Sequence, residues 1–173
     1  AGDDALSRQN QQSESKMEIL RSLITGIRNV RGEMNLAPSL SLPVVVQSED
    51  AQTRDVIELH RDLVINLARL SALTVEKTGQ RPKSSATAVV NNASVFVELE
   101  GIIDFAKEIQ RLEKEINKLA IELAKVGKKL QNEGFLNKAP ADVIEKVRDK
   151  QSALLEKQQK LQMNLDRIKE ADA

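Results

Sequence analysis

Residues 105–130 read FAKEIQRLEKEINKLAIELAKVGKKL, and their apolar side chains recur in unbroken steps of four and three. Phe105, Ile109, Leu112, Ile116, Leu119, Leu123, Val126 and Leu130 fill every seam position for more than three heptads. That spacing predicts a helix with one narrow apolar stripe, which a second helix must cover. A second run follows shortly after: Ile144, Val147, Gln151, Leu154, Gln158, Leu161, Leu165 and Ile168, again in steps of three and four. Two such helices joined by a short turn fold back as an antiparallel hairpin. Each arm, of about 29 residues, reaches about 43 Å at 1.5 Å per residue. Gln151 and Gln158 interrupt the second seam. They either fix the register or face water where the second helix rolls off the first.

Between the helices lies LQNEGFLNKAP (130–140). Gly134 is expected to end the first helix as a left-handed cap. Pro140 is expected to open the second, where a missing N–H costs little. Those two residues account for a turn but not for the others in it. Over 123–138, Lys125, Lys128, Lys129 and Lys138 face only Glu133, a net of +3, whereas 102–173 as a whole carries 15 basic and 13 acidic residues. Cations there complement the helix dipole, and they equally suit a tip that meets phosphates. Phe135 has two readings as well. It can fold onto the seam end beside Leu130 and Leu136, or stand out with Leu136 as a platform for unstacked RNA bases. On the outer faces, Glu108/Arg111, Glu115/Lys118, Glu122/Lys125, Glu145/Arg148 and Asp166/Lys169 are spaced as helical ion pairs, each contributing ~0.2–0.5 kcal/mol.

Upstream, the pattern changes. Residues 1–12 are polar and expected to fray. From Ser13 onward, Met17, Leu20, Ile24, Ile27, Val30 and Met34 form one helical face, and Pro38 bars that helix from continuing. Residues 42–47 (LPVVVQ) and 73–77 (LTVEK) read as strands flanking one helix over 48–70. Ser48 or Asp50 would cap that helix, and Val56, Leu59, Leu63, Leu67 and Leu70 would be its buried face. A polar loop (78–86) precedes two strands within 87–100, joined at Asn91-Asn92-Ala93, where Asn tolerates positive φ. The expected fold class is α+β: an N-terminal helix, a small β-α-β-β-β unit, and a long two-helix coiled-coil hairpin projecting from it. The boundaries fall at 1–37, 38–101 and 102–173.

The 173 residues include 26 Lys+Arg and 26 Asp+Glu, three Phe, no Trp, no Tyr and no Cys. The balanced charge points to no partner class, and the absence of Cys excludes disulfide and thiolate chemistry. No apolar run approaches a membrane span, and the N-terminus resembles no signal peptide, so a cytoplasmic setting is expected. The chain opens on Ala rather than Met, as expected of a piece of a longer protein. His60, the single histidine, sits beside Arg61 and Asp62 in a surface helix and lacks the companions of a metal site. Asp3-Asp4 and Glu49-Asp50 are neighbours whose side chains diverge, suited to caps and solvent. Phosphate-loop, dinucleotide-binding, zinc-protease and nucleophile-elbow motifs are all absent. No catalytic residue and no metal ligand is expected here. Binding or bracing is the expected role.

The segment 130–150 resembles the C-terminal coiled-coil arm of bacterial-type valyl-tRNA synthetases. That family turns its hairpin through an N-E-G-F-x-x-K-A-P run followed by Val, matched by Asn132, Glu133, Gly134, Phe135, Lys138, Ala139, Pro140 and Val143. Residues 98–116 look like the strand-to-helix entry of the same arm. Residues 27–38 (IRNVRGEMNLAP) are similar to the end of the family's anticodon-binding helical domain. The resemblance implies a C-terminal fragment: the last helix of that domain (1–37), an α+β connector (38–101) and a tRNA-binding arm (102–173). It implies that the arm lies against the outer corner of tRNA(Val), where the D and T loops meet. The implied contacts are Lys125, Lys128, Lys129, Asn132, Phe135, Leu136 and Lys138 at the tip, with Arg21, Arg28 and Arg31 of the first helix as weaker ones. ATP and Mg, the ligase active site and a monomeric state would belong to the parent chain, and neither DNA nor membrane is an implied partner. The different-class alternative is a protein-interaction or chaperone-like coiled-coil arm unrelated to RNA.

Overall fold

The computed structural model describes residues 2–173, with side chains from Asp3 onward. Its backbone contacts divide into two compact units. One runs through Ile103 and includes Glu170–Ala173; the other is Asp104–Lys169.

The first unit opens with α1 (Gly2–Glu33). The expected fraying over 1–12 is not what the structure has, although residue 1 lies outside the described residues. Asp3 and Asp4 complement the positive end of the helix, and Arg8 bridges to Asp4 at 2.9 Å. The first half of α1 is exposed, Met17 included; burial begins at Leu20 and continues through Leu23, Ile24, Ile27, Val30 and Met34. Ahead of Pro38 the helix ends in a Schellman motif: Asn35 takes φ 51, its N–H reaches the Gly32 carbonyl, and the Leu36 N–H reaches that of Arg31.

A four-stranded sheet follows, in the order β2-β1-β4-β3. Strand β1 (Leu42–Ser48) pairs parallel with β2 (Leu70–Glu76) and antiparallel with β4 (Ala93–Glu98), which forms a hairpin with β3 (Ser85–Val90). Alternate residues Leu42, Val44, Val46 and Ser48 of β1 are buried, and the Asn91-Asn92 turn uses φ 52 at Asn91. The β1–β2 crossover differs from the single helix expected over 48–70. It is two helices, α2 (Ala51–Leu59) and α3 (Arg61–Ala68), meeting at His60. Asp50 caps α2, accepting from the Thr53 amide at 3.0 Å and its hydroxyl at 2.6 Å. The buried Thr53, Ile57, Val64 and Ala68 fall on one helical stripe that continues across the break at His60, with Val56 beside it. Of the expected face, Val56 is buried, Leu70 is buried but belongs to β2, and Leu59, Leu63 and Leu67 are exposed.

The second unit holds α4 (Phe105–Gln131), the short α5 (Glu133–Lys138) and most of α6 (Ala141–Asp172). Asp104 caps α4 through the Lys107 amide. Every expected seam residue of both helices is buried or half-buried, with Leu112, Leu119, Val126, Leu165 and Ile168 the most enclosed. Gln151 and Gln158 are half-buried in register with them. Glu122 meets Lys150 at 4.0 Å and Glu113 meets Lys169 at 3.1 Å across the hairpin. Glu108 reaches Arg111 within α4, as expected.

Candidate nucleic-acid interface

The hairpin turns through three elements rather than one loop. Asn132 ends α4, its N–H on the Lys129 carbonyl, and starts α5, its Oδ1 accepting from the Phe135 amide at 3.3 Å. The expected left-handed cap at Gly134 is not formed: Gly134 lies inside α5, and α4 is closed by Asn132 at φ −79. Gly134 serves by lacking a side chain, since a Cβ there would sit 3.2 Å from the capping Asn132 Oδ1. The Phe135 carbonyl accepts from Ala139, and the Pro140 carbonyl starts α6 by accepting from Val143 and Ile144.

This geometry collects the expected tip residues. Lys128 and Lys129 form the last turn of α4 and Lys138 that of α5. All three are exposed, as is Lys125. Phe135 and Leu136 are half-buried. Lys129 Nζ stands 4.9 Å from the centroid of the Phe135 ring, a cation–π contact worth ~0.5–1 kcal/mol at an exposed site. The ring is therefore neither sealed into the seam nor bare. Asn132 has a backbone-capping task that the sequence reading missed. An Asn one residue ahead of an acidic first turn is an N-terminal signature that could have shown it.

The three arginines of α1 belong to the other compact unit. Arg31 donates to the carbonyls of Leu40 and Ala68, both at 2.8 Å, and to that of Arg69. Arg28 donates to Leu67 at 3.0 Å. They satisfy carbonyls at the end of α3, where a helix leaves its acceptors unpaired. Burial, and then the nearby Arg69, lower the pKa of Arg31. Arg21 is exposed and lies 3.6 Å from Glu18. His60 occupies the α2–α3 junction. Among the described residues no three His, Cys, Asp or Glu side chains gather as a metal site requires. No helix among the described residues is long and apolar enough to cross a membrane.

An antiparallel helical hairpin with a basic, apolar-centred turn defines a class: a helical arm presenting its turn to a charged partner. Residues 104–169 match the family described as "Valyl tRNA synthetase tRNA binding arm". The chain is 39% identical to a valine–tRNA ligase of Nitratidesulfovibrio vulgaris over 155 residues, 90% of its own length and 18% of the relative's. It is 36% identical to those of Oceanobacillus iheyensis (92% of this chain, 18% of the relative) and Geobacter sulfurreducens (90% and 18%). Residues 104–169 are thus a member of the valyl-tRNA synthetase tRNA-binding-arm family. The chain spans under a fifth of the length of these curated relatives.

Proposed function

We propose that this chain is the tRNA-binding C-terminal region of a valine–tRNA ligase, and that its hairpin tip contacts the outer corner of tRNA(Val), where the D and T loops meet. The parent chain performs ATP-dependent aminoacylation in the cytoplasm; this region contributes affinity and orientation and leaves the chemical step to residues elsewhere. The observation that carries the reading is the tip itself. Phe135 is half-exposed with Lys129 above its ring, and Lys125, Lys128 and Lys138 are free to approach phosphates. A ring so placed can exchange the lysine for an unstacked base while the cations engage the backbone. Because Arg28 and Arg31 serve α3, the tip carries the proposed contact, with Arg21 the weaker candidate left on α1.

The test is binding of the chain to a tRNA(Val) transcript in a salt titration. Phe135→Ala is expected to weaken binding roughly tenfold, within the ~1–3 kcal/mol of one base–aromatic stack, at unchanged helicity. Lys128→Glu with Lys129→Glu is expected to weaken it further and flatten its salt dependence. Unchanged affinity in both variants would refute the tip contact. A loss of helicity in Phe135→Ala would assign the ring to the seam instead.

A further inference from the structure

The heptad register of α4 sorts its charges by side. Its four carboxylates, Glu108, Glu113, Glu115 and Glu122, all flank the seam. Two of them reach cations of α6, which gives the carboxylates a structural reason to be there. On the side away from the seam lie Lys107, Arg111, Lys114, Lys118, Lys125 and Lys128, all exposed, with no carboxylate among them. Between them stand uncharged Gln110, Asn117 and Ala124, and Ile121, 59% exposed. From Lys107 to Lys128 this lane runs about 31 Å at 1.5 Å per residue.

Stability of the coiled coil does not call for such a lane. Like charges three and four residues apart repel by ~0.2–0.5 kcal/mol each, and Lys107, Arg111, Lys114 and Lys118 are spaced that way throughout. Arg111 is offset by Glu108 and Glu115, at 2.6 and 3.4 Å. Lys118 and Lys125 follow Glu115 and Glu122 by three residues, whereas Lys114 has no carboxylate three or four residues away. The outward side of α6 shows the ordinary solution, with both signs mixed: Asp142, Asp149 and Glu156 share it with Lys146 and Lys160. A one-sided row of cations, with only uncharged side chains between them, matches a polyanion that extends along the helix. A membrane surface is disfavoured, because a single Ile121 is no apolar face for insertion.

We propose that the outward side of α4 is a second RNA-contact surface, in which Lys107, Lys114 and Lys118 follow a sugar–phosphate strand leading away from the tip. The inference rests on the RNA-binding reading above but uses none of the turn residues. Its test compares two triple variants of the chain, Lys107→Gln/Lys114→Gln/Lys118→Gln on α4 and Lys146→Gln/Lys157→Gln/Lys160→Gln on α6. Both remove three charges from the same hairpin, and circular dichroism verifies equal helicity. Binding to a tRNA(Val) transcript is followed by fluorescence anisotropy over a range of KCl. The α4 variant is expected to flatten the slope of log affinity against log salt by roughly 2, three phosphate contacts at about 0.7–0.9 each, and the α6 variant to keep the wild-type slope. If both variants fall equally, or neither falls while Phe135→Ala still weakens binding, the lane is refuted and the tip reading stands. If the tip variant is silent and the α4 variant is not, the tip reading fails and the lane stands. Competition by poly-glutamate as effective as by tRNA, at equal charge, would make the lane a site for acidic protein and overturn the RNA assignment.

Discussion

At the scale of single residues, the same amino acid serves by different means. Gly127 lies inside α4 and a Cβ there would meet nothing within 4 Å, whereas at Gly134 a Cβ would crowd the Asn132 cap. Gly127→Ala is therefore expected to raise hairpin stability by about 0.5–1 kcal/mol, the ordinary cost of helical Gly. Gly134→Ala is expected to show no such gain, because losing a cap costs about 1 kcal/mol. Thermal melts followed at 222 nm compare the two; equal gains would mean that the Asn132 cap contributes nothing. Asp50 gives the sheet unit a pH dependence. Hydrogen bonds from the Thr53 hydroxyl and amide, with a smaller one from Asn92, hold its carboxyl below its ordinary value. A carboxylate whose pKa is lower folded than unfolded contributes stability above the unfolded pKa, and loses it as pH falls through the folded one. Melting temperature is expected to fall on acidification from pH 5 toward 2, and to fall less steeply in Asp50→Asn. Parallel acid profiles for the two proteins would contradict that role.

At the scale of elements, the hairpin was legible because its seam repeats without interruption: eight positions on α4 fix the buried side, and a tight turn leaves one way to cover them. The β3–β4 hairpin was legible from its Asn pair. What failed was phase. Leu59, Leu63 and Leu67 are spaced like a buried stripe, yet they are exposed. The buried stripe is instead Thr53, Ile57, Val64 and Ala68, shifted to one side of the expected one and running on through the break at His60. Periodicity alone does not choose between the two stripes, since Val56 and Ile57, and again Leu63 and Val64, are apolar neighbours. Gly134 misled in a similar way. A glycine after a helix signals a left-handed cap, but Asn132, two residues earlier, can close one helix and open the next from ordinary φ. The lane on α4 was legible in principle, since the register that gives the seam also gives its opposite side. Gln151 and Gln158 remain the soft positions of the hairpin, half-buried beside Leu154 and Leu161 of the seam. Replacing both by Leu is expected to stabilise the hairpin by about 1 kcal/mol per site, roughly half of a full leucine burial. An unchanged melt would show that both positions are wet. A melt that becomes concentration-dependent would show that the glutamines hold the hairpin to a single partnering.

At the scale of the whole molecule, a formal net charge of zero conceals a partition. Residues 104–169 carry 15 basic and 11 acidic side chains, a net of +4, and the remaining residues carry 11 and 15, a net of −4. Composition of the entire chain therefore pointed to no partner, while composition of each compact unit does. A polyanion is drawn to the hairpin unit and repelled by the sheet unit, over distances of about 8–10 Å at physiological salt. The arginines of the sheet unit sharpen the contrast, because Arg28 and Arg31 hold carbonyls of their own unit. Hydrogen exchange on the chain with and without a tRNA(Val) transcript reads this partition directly. Added protection is expected around Asn132–Ala139, where α5 is a single short helix without buried residues and opens at little cost. It is expected to diminish along α4 toward Phe105 and to be absent from β1 to β4. Protection confined to α1 around Arg21, with none at the turn, would move the RNA contact to the sheet unit and against its charge. Protection at the turn that vanishes in Phe135→Ala but persists in the Lys107/Lys114/Lys118 variant would leave the tip as the anchor and the lane as its extension. That hierarchy is the one expected when a few stacked contacts fix position and a row of lysines adds affinity that salt can remove.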